Sequence, residues 1–264
     1  MTVINSAKER EVTSVMTLVV AANRVCRQVI STIVVSSGLV MLAAPAQAEW
    51  AGSAELGLVF ARGNTETETL NTALEASYSR QRWTNTTEAS FFRSETDGDL
   101  DASRFVGKNA TDYTLDDRSY LTGIVRYDRD RFSSFRFQTS AALGYGYQWL
   151  DSERQTLSLE AGPGVRHSEN RASGDTETEF IGRGAVDYRL AISETAELTN
   201  AFLVETGSSN TFLETQLALE VAINDSLALK TGFSVRHNTN VEADRDKTDY
   251  LSTVNLVYSF DKNK

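Results

Sequence analysis

The stretch Phe135-Arg136-Phe137-Gln138-Thr139-Ser140-Ala141-Ala142-Leu143-Gly144-Tyr145-Gly146-Tyr147-Gln148 decides the fold. Phe135, Phe137, Thr139, Ala141, Leu143, Tyr145 and Tyr147 fall on one parity, and all but Thr139 are apolar or aromatic. Arg136, Gln138, Ser140, Ala142, Gly144, Gly146 and Gln148 fall on the other, which is polar or small. Side chains of an extended chain point alternately to opposite faces, so a period of two describes a strand with one apolar and one polar face. Soluble strands average roughly five or six residues, whereas a tilted strand needs about ten to cross a hydrocarbon layer. A run this long that keeps its alternation predicts a membrane-crossing strand.

The same pattern recurs in both directions. Trp50, Gly52, Ala54, Leu56, Leu58 and Phe60 share the face of a first strand, and Leu70, Leu74, Ala76 and Tyr78 that of a second. Further strands are expected near 87–92, 105–115, 120–127, 156–167, 180–190, 196–206, 211–223, 227–238 and 249–260. With the sixth, the count is twelve, and single-chain bacterial barrels have even numbers. Short connections at 81–82, 116–118, 191–195 and 224–225 alternate with long polar ones expected at 94–103, 168–179 and 239–248, although 149–155 is longer than its class. Short periplasmic turns and long external loops have this asymmetry, which puts both mature termini on the periplasmic side. Trp50, Tyr78, Trp83, Tyr113, Tyr147 and Phe260 stand at the ends of apolar faces, where amphipathic rings meet lipid headgroups. The expected fold class is therefore all-β, a transmembrane antiparallel up-and-down β-barrel of about twelve strands. A soluble sandwich also alternates, but strand length and loop asymmetry speak against it.

Ahead of the strands, Arg24 and Arg27 precede a mostly apolar run over 29–44, followed by Ala46-Gln47-Ala48. This is the layout of a secretory signal over residues 1–48, with Met16 as an alternative start, leaving 49–264 as the outer-membrane barrel. Its removal takes away four basic and two acidic side chains and moves the formal charge from −10 to −12. So acidic a chain is a poor partner for nucleic acid. The single cysteine, Cys26, lies in the leader, so the mature chain has no disulfide, thiol nucleophile or cysteine metal site.

Chemistry is sparse. His167 and His237 sit near strand ends without a recognisable serine motif, which leaves an outer-membrane lipid hydrolase as an alternative only. Asp97-Gly98-Asp99-Leu100-Asp101 begins like a calcium loop, but Ala102 stands where glycine is needed and Lys108 where glutamate is. No catalytic, cofactor or metal residues are assigned, and the acidic loops are expected at most to bridge divalent cations to lipopolysaccharide. The polar faces supply the candidates for a lumen lining: Lys108, Arg126, Arg136, Glu160, Arg166, Arg183, Asp187, Glu214, Lys230 and Arg236. Mixed signs suit paired side chains that constrict a barrel of intermediate width, with Glu160, Arg166, Arg183 and Asp187 able to pair on adjacent strands.

Trp50-x-Gly52-x-x-x-Leu56-Gly57, then Gly63-Asn64-Thr65, Lys108, and Lys247-x-Asp249-Tyr250 before a final strand ending in Phe260 resemble the domain-of-unknown-function 481 family. Its members are described as salt-induced outer-membrane proteins. The resemblance implies an outer-membrane location and a barrel, and carries no catalytic residues across. The expected function is non-enzymatic: a narrow solute channel or a structural envelope component linked to salt or osmotic stress. A soluble periplasmic binding barrel is the further alternative, and it would need an apolar interior. Expected partners are outer-membrane lipid, lipopolysaccharide, and the barrel-insertion machinery, which would read the last strand to Phe260 although Asp261 to Lys264 follow it.

The leader predicts a mature N-terminus at Glu49, because Ala46 and Ala48 are the small residues the peptidase accepts. Mass spectrometry of the membrane-extracted chain checks this, and a retained 29–44 segment would contradict it.

Overall fold

The computed structural model describes residues 49–62, 66–241 and 245–261. The leader expected over 1–48 and the Gly63-Asn64-Thr65 turn lie outside the described residues. Those described form twelve strands: β1 (Glu49–Ala61), β2 (Thr67–Arg80), β3 (Trp83–Thr96), β4 (Asp99–Thr114), β5 (Ser119–Asp130), β6 (Phe135–Asp151), β7 (Gln155–Asn170), β8 (Thr176–Ala191), β9 (Ala196–Thr206), β10 (Thr211–Ala222), β11 (Leu227–Asn238) and β12 (Thr248–Asp261). Each pairs antiparallel with its neighbour in sequence, and β12 pairs with β1, from Ala51 opposite Asp261 to Leu56 opposite Leu256. The result is a closed barrel without a free strand edge. The rim where β1 begins and β12 ends is called the lower rim below.

The strands reach further at the upper rim than their alternation of hydropathy does. The loop expected at 94–103 is mostly strand, closed by a two-residue turn at Asp97 (φ 51) and Gly98 (φ 86). Positive φ at both positions gives the turn twist that matches a hairpin. Similarly β7 and β8 meet across 171–175 rather than 168–179. Beyond an apolar layer both faces of a strand are wet, so the alternation fades while the hydrogen-bond ladder continues. Bulges occur between Ser94 and Glu95 and between Phe135 and Phe137. At the lower rim, the backbone N–H groups of Arg118 and Ser119 each donate to Asp116 at 2.9 Å, holding its carboxyl below the usual carboxylate range.

The barrel is apolar outside and polar inside. Leu143 is 72% exposed and Phe180 86%, and Leu56, Leu58, Leu217, Leu229 and Val254 share their outer face. An apolar band running round a protein is far larger than water-facing surfaces tolerate. Ring pairs border it: Trp50 with Tyr78 and Trp83 with Tyr113, centroids 4.8 Å apart, toward the lower rim. Toward the upper rim stand Phe105 with Tyr127 at 6.3 Å and Phe137 with His167 at 5.8 Å. The buried side chains, by contrast, include Asp128, Arg166, Glu179, Glu205, Glu214, Arg236 and Asn255. Among the described residues no helix is long and apolar enough to cross a membrane.

This facing predicts that Leu143→Arg and Leu217→Arg each lower stability in a bilayer by about 2 to 4 kcal/mol. Gln138→Arg and Gln216→Arg, on the inner face, should cost much less. Urea unfolding of the barrel in phospholipid vesicles measures both sets.

Candidate functional site: a lumen crossed by ion pairs

Alternation aims Arg126 and Asp128 of β5, Ser140 of β6, Glu205 of β9, Phe212 and Glu214 of β10, and Arg236 of β11 into the lumen. In a ring of twelve, β5 and β11 are six strands apart and face each other across it. The side chains meet in the middle. Arg126 lies 2.7 Å from Glu214 and 3.2 Å from Asp128. Arg236 pairs with Asp128 from the opposite wall and stands 3.4 Å from Glu214. Phe212, only 4% exposed, lies against both guanidinium groups, at 5.2 Å from Arg126 and 5.0 Å from Arg236. Ser140 donates to Glu205 at 3.0 Å, spanning β6 to β9. Arg126 and Arg236 with Asp128 and Glu214 thus form a charge-balanced layer of four across the passage, with the buried Glu205 carboxylate beside it on Ser140. Burying any one charge costs several kcal/mol, and the layer is tenable because each charge faces two of opposite sign.

Above the layer, Arg166, 2% exposed, pairs with Glu179 at 2.7 Å and donates to the Asn210 carbonyl. Glu179 also accepts from the backbone N–H of Ser209 at 2.8 Å and from Ser208 Oγ at 3.2 Å. The β9–β10 connection is therefore held down over the upper mouth. Arg104 pairs with Asp130 at 2.7 Å and approaches Asp249 at 3.7 Å.

Against the layer lies a cavity of about 430 Å³ whose wall includes Arg126 and Glu214 of the layer, Arg104 toward the upper rim, and Glu55, Glu75, Glu88, Lys108, Asp187 and Lys230. Lys108 pairs with Glu88 at 2.9 Å and Lys230 with Glu55 at 2.6 Å. Asn255 joins two further strands by donating to Glu55 at 2.9 Å and accepting from Asn71 at 3.0 Å. On the β5–β8 wall, Tyr120 donates to Glu160 at 3.0 Å, and Glu160 pairs with Arg183 at 2.8 Å. The Tyr120 ring lies flat over Gly146, where any Cβ would collide with it.

Nine of the ten residues read from the sequence as lumen-facing, Lys108, Arg126, Glu160, Arg166, Arg183, Asp187, Glu214, Lys230 and Arg236, belong to these groups. Arg136 departs from them. It is the extra residue of the bulge between Phe135 and Phe137, and its side chain is 56% exposed at the upper rim, paired with Glu169 at 2.9 Å. Of the pairs considered on adjacent strands, Glu160 with Arg183 forms, whereas Arg166 takes Glu179 instead. Asp128 and Glu179 were not foreseen. Each lies just past the end of its expected strand, and continuing the alternation by two residues would have found both. His167 and His237 are on the outer face, each with Nδ1 beside a cross-strand threonine, Thr178 at 2.8 Å and Thr248 at 2.9 Å. Among the described residues no group of three or more His, Cys, Asp or Glu is placed to hold a metal ion.

The chain belongs to the family described as Protein of unknown function, DUF481, whose model matches residues 54–260. It is 26% identical over 222 residues to the uncharacterized protein YdiY of Escherichia coli (strain K12), covering 82% of this chain and 85% of that one. Among solved structures, the translocator domain of autotransporter NalP from Neisseria meningitidis is similar at a TM-score of 0.45 and 16% identity, over 91% of this chain and 97% of that one. The NanC porin is similar at a TM-score of 0.48 and 12% identity, over 80% and 98%. An outer membrane channel from Pseudomonas putida F1 is similar at 0.49 and 11%, over 83% and 97%.

The layer predicts unequal costs for its members and for pairs near water. Arg236→Gln leaves Asp128 and Glu214 short of a cation and should lower stability by about 3 to 5 kcal/mol. Lys108→Gln breaks a pair whose side chains are 34% and 42% exposed, and should cost about 0 to 1 kcal/mol. Urea titration followed by tryptophan fluorescence separates the two.

Proposed function

We propose that this DUF481 member is an outer-membrane β-barrel, without enzymatic activity, that carries a narrow solute path held shut at rest by the Arg126–Glu214 and Arg236–Asp128 layer. The observation that carries the reading is that layer, joined across opposite walls and bordering a cavity whose wall carries charges of both signs. The outer apolar belt with its ring borders supports the membrane location. A charged interior is the reverse of what a soluble binding barrel for apolar ligands needs. Export through a leader over 1–48 puts the lower rim, with both mature chain ends, on the periplasmic side, and the β12 strand to Phe260 is the segment offered to the insertion machinery. Lipid and lipopolysaccharide then surround the belt and the upper rim.

Opening requires the cross-lumen pairs to separate while their charges stay satisfied by water. Salt screens such pairs according to exposure, with a Debye length of about 8 Å at physiological ionic strength. The half-exposed Lys108–Glu88 pair should soften before the buried layer does. This offers a physical route to the salt-stress link that the family resemblance implies. A purely structural role is favoured by the same struts, because they brace opposite walls.

Planar-bilayer recording decides between the two. The unmodified barrel should give small, infrequent conductance steps, and Asp128→Ser with Arg236→Ser, which removes one strut without changing net charge, should raise them severalfold. Glu160→Ser with Arg183→Ser, below the layer, should change them little. Large porin-like steps in the unmodified protein, or no response to strut removal, would refute the closed path and leave the bracing role.

A further inference from the structure

The outer belt is not uniform. On β3 and β4, between the Trp83–Tyr113 and Phe91–Phe105 levels, the outward residues are Asn85, Thr87 and Ala89 opposite Thr111, Asn109 and Gly107. No large apolar side chain occurs there, at the depth where the opposite wall carries Leu217, Leu229 and Phe233. The amides bond to each other and to the threonines. Asn85 Nδ2 donates to Asn109 Oδ1 at 3.2 Å and to Thr111 Oγ1 at 2.7 Å. Asn109 Nδ2 donates to Asn85 Oδ1 at 3.2 Å and to Thr87 Oγ1 at 2.8 Å. Both hydroxyls thus accept, and neither hydroxyl proton is given to an acceptor in these bonds. Polar groups facing hydrocarbon are costly, and they are found where another protein surface satisfies them.

We infer that this β3–β4 face is where a second copy of the chain docks within the membrane. Three properties select a second copy. The patch holds donors, the threonine hydroxyls, and acceptors, the spare lone pairs of the amide carbonyls, so it complements itself. A membrane keeps both copies upright, so a two-fold axis along its normal brings Asn and Thr against their counterparts at equal depth. Small residues, Ala89 and Gly107, let two barrel walls approach closely enough for such short side chains to meet. The inference rests on the membrane reading above.

Without its leader the chain has no cysteine, so single substitutions report cleanly. Oxidation of outer membranes carrying Asn109→Cys or Thr111→Cys should give a disulfide-linked dimer, while Leu217→Cys on the opposite wall should not. Asn85→Leu with Asn109→Leu should halve the particle mass in mild detergent while the heat-modifiable mobility of a folded barrel persists. Equal cross-linking at residue 217, no cross-link at either patch position, or a mass unchanged by the leucines would overturn the interface. Loss of heat-modifiable mobility in the unmodified chain would instead remove the membrane reading, and the interface with it.

Discussion

Closure of β12 onto β1 is the constraint on which the rest depends. In a medium without water each unpaired N–H or C=O costs several kcal/mol, so a sheet can enter it only with no edge left over. Once the ring is closed, every residue is either outside or inside, and the period-two pattern becomes a division between two solvents. The belt of Leu56, Leu143, Leu217 and Leu256 and the inner set of Asp128, Glu214 and Arg236 are two readings of one alternation.

A ring of twelve leaves an interior that side chains must fill or water must occupy. Arginine suits the first task, because its planar fork reaches far and satisfies two carboxylates at once. Arg126 and Arg236 both do so, and the ring of Phe212, two residues nearer the upper rim than Glu214, packs against both guanidinium groups. Lysine occupies the wetter half, where Lys108 and Lys230 keep partly hydrated ammonium groups. The interior thus holds its most buried ion pairs around Arg126 and Arg236 and its more exposed ones at Lys108 and Lys230.

The outer surface follows the same logic in reverse. Leucine and valine face outward on much of the wall, whereas the Asn85–Asn109 sector presents amides and hydroxyls. Its amides already satisfy one another in part, which allows a single copy to fold before it finds a partner. The hydroxyl protons of Thr87 and Thr111 take no part in these bonds. That remainder is enough to favour association without making the isolated barrel untenable.

The sequence alone determined the strands, their number and their two faces, because hydropathy alternation is local and reports which solvent each side chain meets. For the same reason it named Lys108, Arg126, Glu214 and Arg236 as inward. It misplaced Arg136, because a bulge shifts parity without leaving a mark in composition. It stopped short of Asp128 and Glu179, because alternation vanishes where both faces are wet although the ladder runs on. Which inward charge meets which was beyond its reach. Arg126 and Glu214 are far apart in the chain and Asp128 and Arg236 sit on opposite walls, and only ring closure, strand stagger and the reach of each side chain bring them together.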